Sequence, residues 1–247
     1  MRQKKFQQNK TIICGLHSCH EALKSQSANI LCVYLMEGKN YPDWVQKIDR
    51  KLVNYVTKDF IMRRVNDDRI AHQWIVMEIL NKQSGSIVDL YSANGAIAIL
   101  DNVVDPHNVG AIIRSAAVFG IKGIIIHSRS ACGLSNTVSK ISSGGLSYVS
   151  VYPVNNIANT IKELKKNGFW VVALSEHGNK YLHEVDLHGK ICLVLGAEST
   201  GIRRLQLENS DFIAKLPTTS YFSTLNVSSA TAVAFYEIAR QNEFKLG

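Results

Sequence analysis

Apolar positions along the chain fall into short runs that alternate with helical spacing. Ile30–Met36 is a nearly continuous apolar run of strand length, Tyr41–Ile48 has helical spacing, and Leu52–Val56 and Trp74–Ile79 predict further strands. From residue 96 the alternation is cleaner. Ala96–Leu100, Gly123–Ile126, Phe169–Leu174 and Ile191–Leu195 predict strands, and Val109–Val118, Asn155–Lys166 and Val227–Arg240 predict helices. In the middle helix Ile157, Ile161 and Leu164 share one face, Asn155 or Asn156 can cap it and Gly168 stops it. In the last helix Val227, Ala230, Ala234 and Ile238 form the apolar face. Strands alternating with helices predict an α/β fold whose parallel sheet is covered on both faces.

The polar stretch 81–86, Asn-Lys-Gln-Ser-Gly-Ser, breaks this pattern and reads as a linker edge. The organisation that follows is a tail over 1–10, a first domain over 11–80, a linker over 81–95 and a second domain over 96–247. Composition agrees with this division. With 247 residues, 46% of them hydrophobic and 19% charged, the chain is globular rather than disordered. Its apolar runs fall far short of the ~20 residues of a membrane span. No apolar signal core follows Met1, and five cysteines without framework spacing fit a reducing, cytoplasmic setting.

Charge changes the picture in one place. The net charge is +8, and Arg2, Lys4, Lys5 and Lys10 supply half of it with no acid before Glu21. Such a tail reads either as a nucleic-acid arm or as a solvated tail, and charge alone does not choose. The Arg- and Ser-rich pattern of a transit peptide is missing.

Some chemistry is excluded by spacing. Residues 14–20, Cys-Gly-Leu-His-Ser-Cys-His, hold four soft ligand types, but the two thiols are five apart and no paired set follows, so no metal site is expected. They read instead as two small buried thiols beside a loop histidine. The glycine-rich dinucleotide fingerprint and the GxxxxGK[ST] loop are both absent.

Three segments depart from the plain pattern of a covered sheet. In residues 101–114, DNVVDPHNVGAIIR, Pro106 ends the strand exit and Asn108 is placed to cap the next helix. Gly110, Ala111, Ala117 and Val118 lie three or four positions from Arg114 and are mostly small, so a backbone or ligand can come close; the alternative is a surface arginine on a packed helix. In residues 193–202, LVLGAESTGI, an apolar strand runs into a loop with Gly196, Glu198 and Gly201, at the strand end where open α/β sheets bind ligands. Residues 216–232, LPTTSYFSTLNVSSATA, are rich in hydroxyls and carry Asn226 at a helix start, which suits either a polar ligand or a simple cap.

Taken in order, these segments resemble the SpoU/TrmH family of RNA 2′-O-ribose methyltransferases. The N-x-G-A-x-x-R pattern of that family is matched by Asn108, Gly110, Ala111 and Arg114; its G-x-E-x-x-G pattern by Gly196, Glu198 and Gly201; its S-L-N-V-S pattern by Leu225, Asn226, Val227 and Ser228, with Thr224 in place of serine. Residues 105–108, 129–131 and 198–204 look like the subgroup that methylates a guanosine ribose in large-subunit ribosomal RNA. Gly15-Leu16-His17 and His72-Gln73 look like the small substrate-binding domain of that subgroup, with Trp74 where glycine is usual. Residues 217–220, Pro-Thr-Thr-Ser, stand where the family often has Pro-Met-x-Gly.

The resemblance implies a SPOUT-type α/β methyltransferase domain with a trefoil knot, a small N-terminal domain of the ribosomal-protein (L30e-like) RNA-binding type, and a homodimer packed through the knotted domains. It implies S-adenosyl-L-methionine as cofactor, held by the loops around Leu174, Gly196, Ala197, Gly201, Leu216 and Leu225, and an RNA partner of 23S type. It implies a catalytic set of Asn108, Arg114, Glu198, Thr224 and Asn226. Because a guanidinium is effectively never deprotonated, Arg114 is expected to clamp a phosphate and stabilise the developing alkoxide. The proton then goes to Thr224, Glu198 or water. Asn108 and Asn226 are expected to orient the ribose, the arginine or the cofactor loop, and Glu198 to hydrogen-bond Asn or Arg partners. The alternatives are a transfer-RNA 2′-O-methyltransferase and a non-catalytic RNA-binding or ribosome-assembly factor on the same fold.

Overall fold

Two sheets, each closed by its own helices, organise the chain in the computed structural model, which describes residues 10–24, 29–65, 72–80, 86–128, 136–219, 221 and 224–244. The basic tail ahead of Lys10, nearly all of the 81–86 stretch, residues 129–131 and Ser220 lie outside the described residues.

The first sheet is built from β1 (Lys10–Cys14), α1 (Leu16–Lys24), β2 (Asn29–Met36), α2 (Asp43–Gln46), β3 (Val53–Val56), α3 (Lys58–Val65) and β4 (Ile75–Leu80). Its strand order is β1-β4-β2-β3, with β4 antiparallel to both neighbours and β3 parallel to β2. Alternate β4 residues Ile75, Met77 and Ile79 face Cys19 and Ala22 of α1, while Val76 faces Ile61 and Val65 of α3. Glu78 is buried on the α3 side, where its carboxylate accepts from Arg64 Nε at 2.7 Å. A carboxylate inside a sheet face requires such a partner.

The second sheet follows through α4 (Ile87–Tyr91), β5 (Ile97–Asp101), α5 (Pro106–Val118), β6 (Gly123–His127), α6 (Asn136–Ile141), β7 (Ser150–Val154), α7 (Ile157–Lys166), β8 (Trp170–Leu174), β9 (Lys180–Tyr181), β10 (Ile191–Gly196), α8 (Arg204–Asn209), β11 (Phe212–Lys215) and α9 (Val227–Gln241). Its order is β7-β6-β5-β10-β8-β11-β9 and every pairing is parallel. Both faces are covered, as the apolar pattern predicts. Ala98, Leu100, Leu193 and Leu195 pack under α5 and α9; Ile97, Ile99, Cys192 and Val194 pack under α7 and Leu90 of α4. The sequence linker therefore contains a helical turn, and its Leu90 belongs to the second core.

Local differences from the sequence reading have physical causes. Helix α5 begins at Pro106 and its cap is Asp105, whose side chain accepts from His107 N at 3.0 Å, so Asn108 is not the cap. Proline suits the first helical position because its φ is preset and its missing N–H has no partner there anyway. The expected helix over 41–48 shrinks to Asp43–Gln46, since Pro42 precedes it. Asn156 caps α7 and Gly168 follows its end, as expected. Cys14 and Cys19 are buried at the junction of β1 and α1, and burial pushes the Cys19 thiol up, followed by the charge of Cys14. His17 and His20 lie on α1 rather than in a loop. Among the described residues no helix is long and apolar enough to cross a membrane.

The two sheets meet through α6 and the turn after it. Helix α6 packs on β1, and Tyr148 Oη donates to Glu21 Oε2 of α1 at 3.3 Å. On its other side α6 lies against α5 so closely that a Cβ on Gly110 would sit 2.7 Å from Ile141 Cβ.

Candidate active site

The three sequence segments converge at the carboxyl ends of the central strands. β5 and β10 are paired in register, so Asp101 and Gly196 end side by side. From Gly196 the chain makes a tight loop, with an isolated bridge between Ala197 and Gly201 and a hydrogen bond from Gly201 N to Ala197 O at 2.8 Å. The loop explains the glycine at 196. A Cβ there would lie 2.2 Å from Gly201 C and 2.3 Å from Ile202 N, closer than any side chain can approach.

The loop is then anchored by a pair that pattern reading misses. Asp101, with no exposed surface, accepts from Arg203 Nε at 2.8 Å, from Arg203 Nη2, from Arg203 N at 2.9 Å and from Gln206 Nε2 at 3.3 Å. The signal was present: an acid closes the otherwise apolar strand Ile97–Asp101. Its partner lies 102 positions away, beyond the reach of any local pattern.

Glu198 projects from this loop toward the amino ends of α5 and α9. Its Oε1 accepts from Asn108 Nδ2 at 3.1 Å, from Asn226 Nδ2, and from Val227 N at 3.4 Å. Asn226 Nδ2 also donates to Asn108 Oδ1 at 3.1 Å, which closes a triangle of three side chains. Asn226 is at the same time the cap of α9, its Oδ1 accepting from Ser228 N at 2.8 Å and Ser228 Oγ at 2.6 Å. A carboxylate aimed at a helix amino terminus is favourably placed for the unpaired N–H groups there. Losing the cap role frees Asn108 in the first turn of α5 to reach across to the loop.

Arg114 stands apart from this triangle. It lies six residues beyond Asn108 on α5, roughly 9 Å along the axis at 1.5 Å per residue. Its side chain is exposed, and no group among the described residues pairs with its guanidinium. Its backbone is crowded instead: a Cβ on Gly145 would lie 3.3 Å from Arg114 Cα and 3.1 Å from Ile113 O. Thr224 and Leu225 are exposed just before the α9 cap.

The remaining expected residues gather along one edge. β8, β10 and β11 end close together, β8 lying between the other two. Leu174 closes β8 and Leu216 follows β11, and both pack half-buried against the core beneath α5 and α9. The loop after β8 is tied to β11 through Ser175 N to Ala214 O at 2.8 Å. This edge thus offers apolar side chains at Leu174 and Leu216, with strand-end backbone beside the Gly196–Gly201 loop. Cys192, on β10 below the loop, is not a reactive group, because burial first and the Asp211 charge second push its thiol up.

The SpoU rRNA Methylase family model matches residues 95–236, more than half of the chain. A 23S rRNA (guanosine-2′-O-)-methyltransferase RlmB of Pseudomonas aeruginosa is 32% identical over 238 residues, covering 93% of this chain and 96% of that relative. The protein of the same description from Coxiella burnetii is 32% identical over 240 residues, covering 94% of this chain and 96% of its own length. Among solved structures, the SpoU methyltransferase AviRb from Streptomyces viridochromogenes, crystallised with AdoMet, superposes with a TM-score of 0.80 at 18% identity, over 95% of this chain and 91% of that one.

Proposed function

The chain belongs to the SpoU rRNA methylase family, and from that premise we propose that it transfers a methyl group from S-adenosylmethionine to the 2′-hydroxyl of a guanosine ribose in large-subunit ribosomal RNA. The observation that carries this reading is the Asn108–Glu198–Asn226 triangle. Three motif side chains from three distant segments meet in one hydrogen-bonded network beside the carboxyl ends of β5 and β10. Full-length relatives described as 23S rRNA guanosine-2′-O-methyltransferases support the choice of substrate.

The edge formed by β8, β10 and β11 fits the cofactor. Leu174, Leu216 and Leu225 would hold the adenosyl group, and the backbone of Gly196, Ala197 and Gly201 would meet its polar atoms. S-adenosylmethionine supplies a methyl already activated on a sulfonium, so the protein contributes chiefly position, worth on the order of 7–11 kcal/mol where alignment is ideal. Glu198 holds Asn108 and Asn226 in one orientation; its Oε1 is occupied by three donors, which suits a positioning group rather than a base. Arg114 keeps its charge, clamps the phosphate beside the target ribose and stabilises the developing oxygen anion. The hydroxyl proton passes to water at the exposed mouth beside Thr224.

The same reading divides the chain into an RNA-binding domain of L30e type over 11–80 and a methyltransferase domain over 96–247, and places the protein in the cytoplasm. It gives the second domain a trefoil knot. It also makes the protein a homodimer through α5 and α9. Val118, Val233 and Tyr236 on those helices are each about half exposed or more, an apolar surface that a second copy would cover. A site completed near that interface accounts for the separation of Arg114 from the triangle within one chain.

Calorimetric titration with S-adenosylmethionine, followed by tritiated methyl transfer to ribosomal RNA, tests the proposal. Saturable binding that survives Arg114→Ala, with transfer that does not, is the expected result. Absence of both binding and transfer with RNA present rejects the enzyme in favour of an RNA-binding assembly factor.

A further inference from the structure

Residues 72–75 form a turn whose sequence opposes its shape. Ile75 N donates to His72 O at 3.0 Å, and the two central residues, Gln73 and Trp74, have φ of +48° and +63°. A type I′ turn of this kind favours Asn-Gly, because a Cβ crowds the backbone at positive φ and glycine has none. Here the second position holds the largest side chain of all.

The strained turn is held from several directions. Gln73 Oε1 accepts from Leu16 N at 2.9 Å, Trp74 N donates to His72 Nδ1 at 3.1 Å, and Trp74 O accepts from Tyr41 Oη at 2.8 Å and Met36 N at 3.1 Å. These hydrogen bonds hold the backbone, while the indole lies half-buried against the core beneath α3. Strain kept in place this way, on a residue the turn does not want, points to a role for the ring.

The surroundings of the ring indicate what the role is. Lys39, after β2, and Lys58, at the start of α3, place their ammonium groups 5.9 and 5.7 Å from the Trp74 ring centroid. Both lysines are exposed. The His72 ring meets the indole edge-on at 4.5 Å and steadies it. On the same face of the sheet Tyr34 packs with the exposed Phe60 at 5.0 Å. An aromatic ring with two exposed cations beside it matches a nucleotide, which offers a flat base to the ring and phosphates to the ammonium groups.

We infer that Trp74, with Lys39 and Lys58, is a base-stacking subsite for one unpaired nucleotide of single-stranded RNA on the first domain. This rests on the reading that the substrate is RNA. The indole carries the base, and the lysines leave the ring to follow the two flanking phosphates. The site lies beside the first sheet, whereas Glu198 follows β10 of the second, so it selects and holds RNA without taking part in methyl transfer.

The test uses the full chain, a short fluorescein-labelled single-stranded oligoribonucleotide of mixed sequence, and the variants Trp74→Gly, Trp74→Phe, Lys39→Ala and Lys58→Ala. Glycine accepts the positive φ, which offsets the lost packing of the half-buried indole, so Trp74→Gly should fold with a Tm close to that of the wild type. Its RNA affinity should fall about tenfold or more, with Trp74→Phe recovering much of it. Each lysine variant should reduce the salt slope of binding by about one. Quenching of tryptophan fluorescence by RNA should be lost in Trp74→Gly although Trp44 and Trp170 remain. Wild-type affinity and undiminished quenching in Trp74→Gly overturn the subsite, as does a large fall in Tm with RNA binding intact, which would mark a ring that only packs the core. The outcome is separable from the enzymatic reading. If the wild type transfers methyl to ribosomal RNA and Trp74→Gly does so with unchanged KM, the subsite alone fails. If the wild type transfers nothing but Trp74→Gly loses RNA affinity, the subsite stands and the enzyme reading fails.

Discussion

Asp101 and Arg203 join the end of β5 to the far side of the Glu198 loop: the carboxylate is wholly buried and accepts from both the guanidinium and the backbone N–H of the arginine. The arginine side chain is half exposed, so the pair is desolvated mainly on the acid side. Removing the acid leaves three donor groups without their acceptor.

Asp101→Ala is therefore expected to lower stability by about 1–3 kcal/mol, read as a fall in Tm by thermal denaturation. It should also weaken S-adenosylmethionine binding in calorimetry, because the loop that carries Glu198 loses its anchor. A variant that melts lower yet binds cofactor normally would show that the anchor serves the fold alone.

Glu198→Gln replaces a pure acceptor by a group with two donors, facing the amides of Asn108 and Asn226 and the Val227 N–H. Methyl transfer should fall by about tenfold or more, with little change in Tm, since the site is exposed. The Asn108→Ala and Glu198→Ala pair should be coupled by about 0.5–3 kcal/mol in a double-mutant cycle of kcat/KM. Strict additivity would mean that the triangle does not act as a unit.

Arg114→Lys keeps the charge and loses the planar fork. Because the side chain is exposed and unpaired among the described residues, its stability in thermal denaturation should stay within the range of ordinary surface changes, about ±0.5 kcal/mol. Transfer should fall by about a hundredfold or more. Near wild-type transfer would reject the bidentate clamp.

Gly196→Ala places a methyl 2.2 Å from backbone that cannot yield without moving Gly201 and Ile202. Loss of cofactor binding is expected, with a lower Tm. Gly189→Ala is the comparison: φ there is positive, at +76°, unlike at Gly196, but nothing lies within 4 Å, so it should cost only about 1 kcal/mol of backbone strain and leave binding intact. Equal effects of the two would argue that close approach of the 201–202 backbone does not govern position 196.

Much of this was legible in the chain before folding, and the exceptions are instructive. The two-faced burial of β10 follows from the unbroken apolar run at 191–195, and α7 follows from its apolar stripe and its Asn156 cap. The cap of α5 was misplaced on Asn108, because Asp105 and Pro106 together make the stronger start signal. The short strand β11 is only four residues long, too few for its own periodicity to mark it. The motif residues Asn108, Glu198 and Asn226 could be named from spacing and resemblance, but their mutual contact could not.

What the sequence determined by itself is local: which runs become strands, which faces are apolar, where caps and glycines sit, and which side chains carry usable chemistry. Each depends on neighbours within a few positions, where propensity and periodicity act. Only the tertiary structure decided which of these meet. Asn108 and Asn226 are 118 positions apart, and Asp101 and Arg203 are 102 apart. No local rule relates such pairs; they are brought together by the parallel order of β5, β10 and β8, which depends on the packing of the whole sheet. The same holds for Gly196, an ordinary turn residue by sequence, whose missing side chain is required only because another stretch of backbone folds back against it.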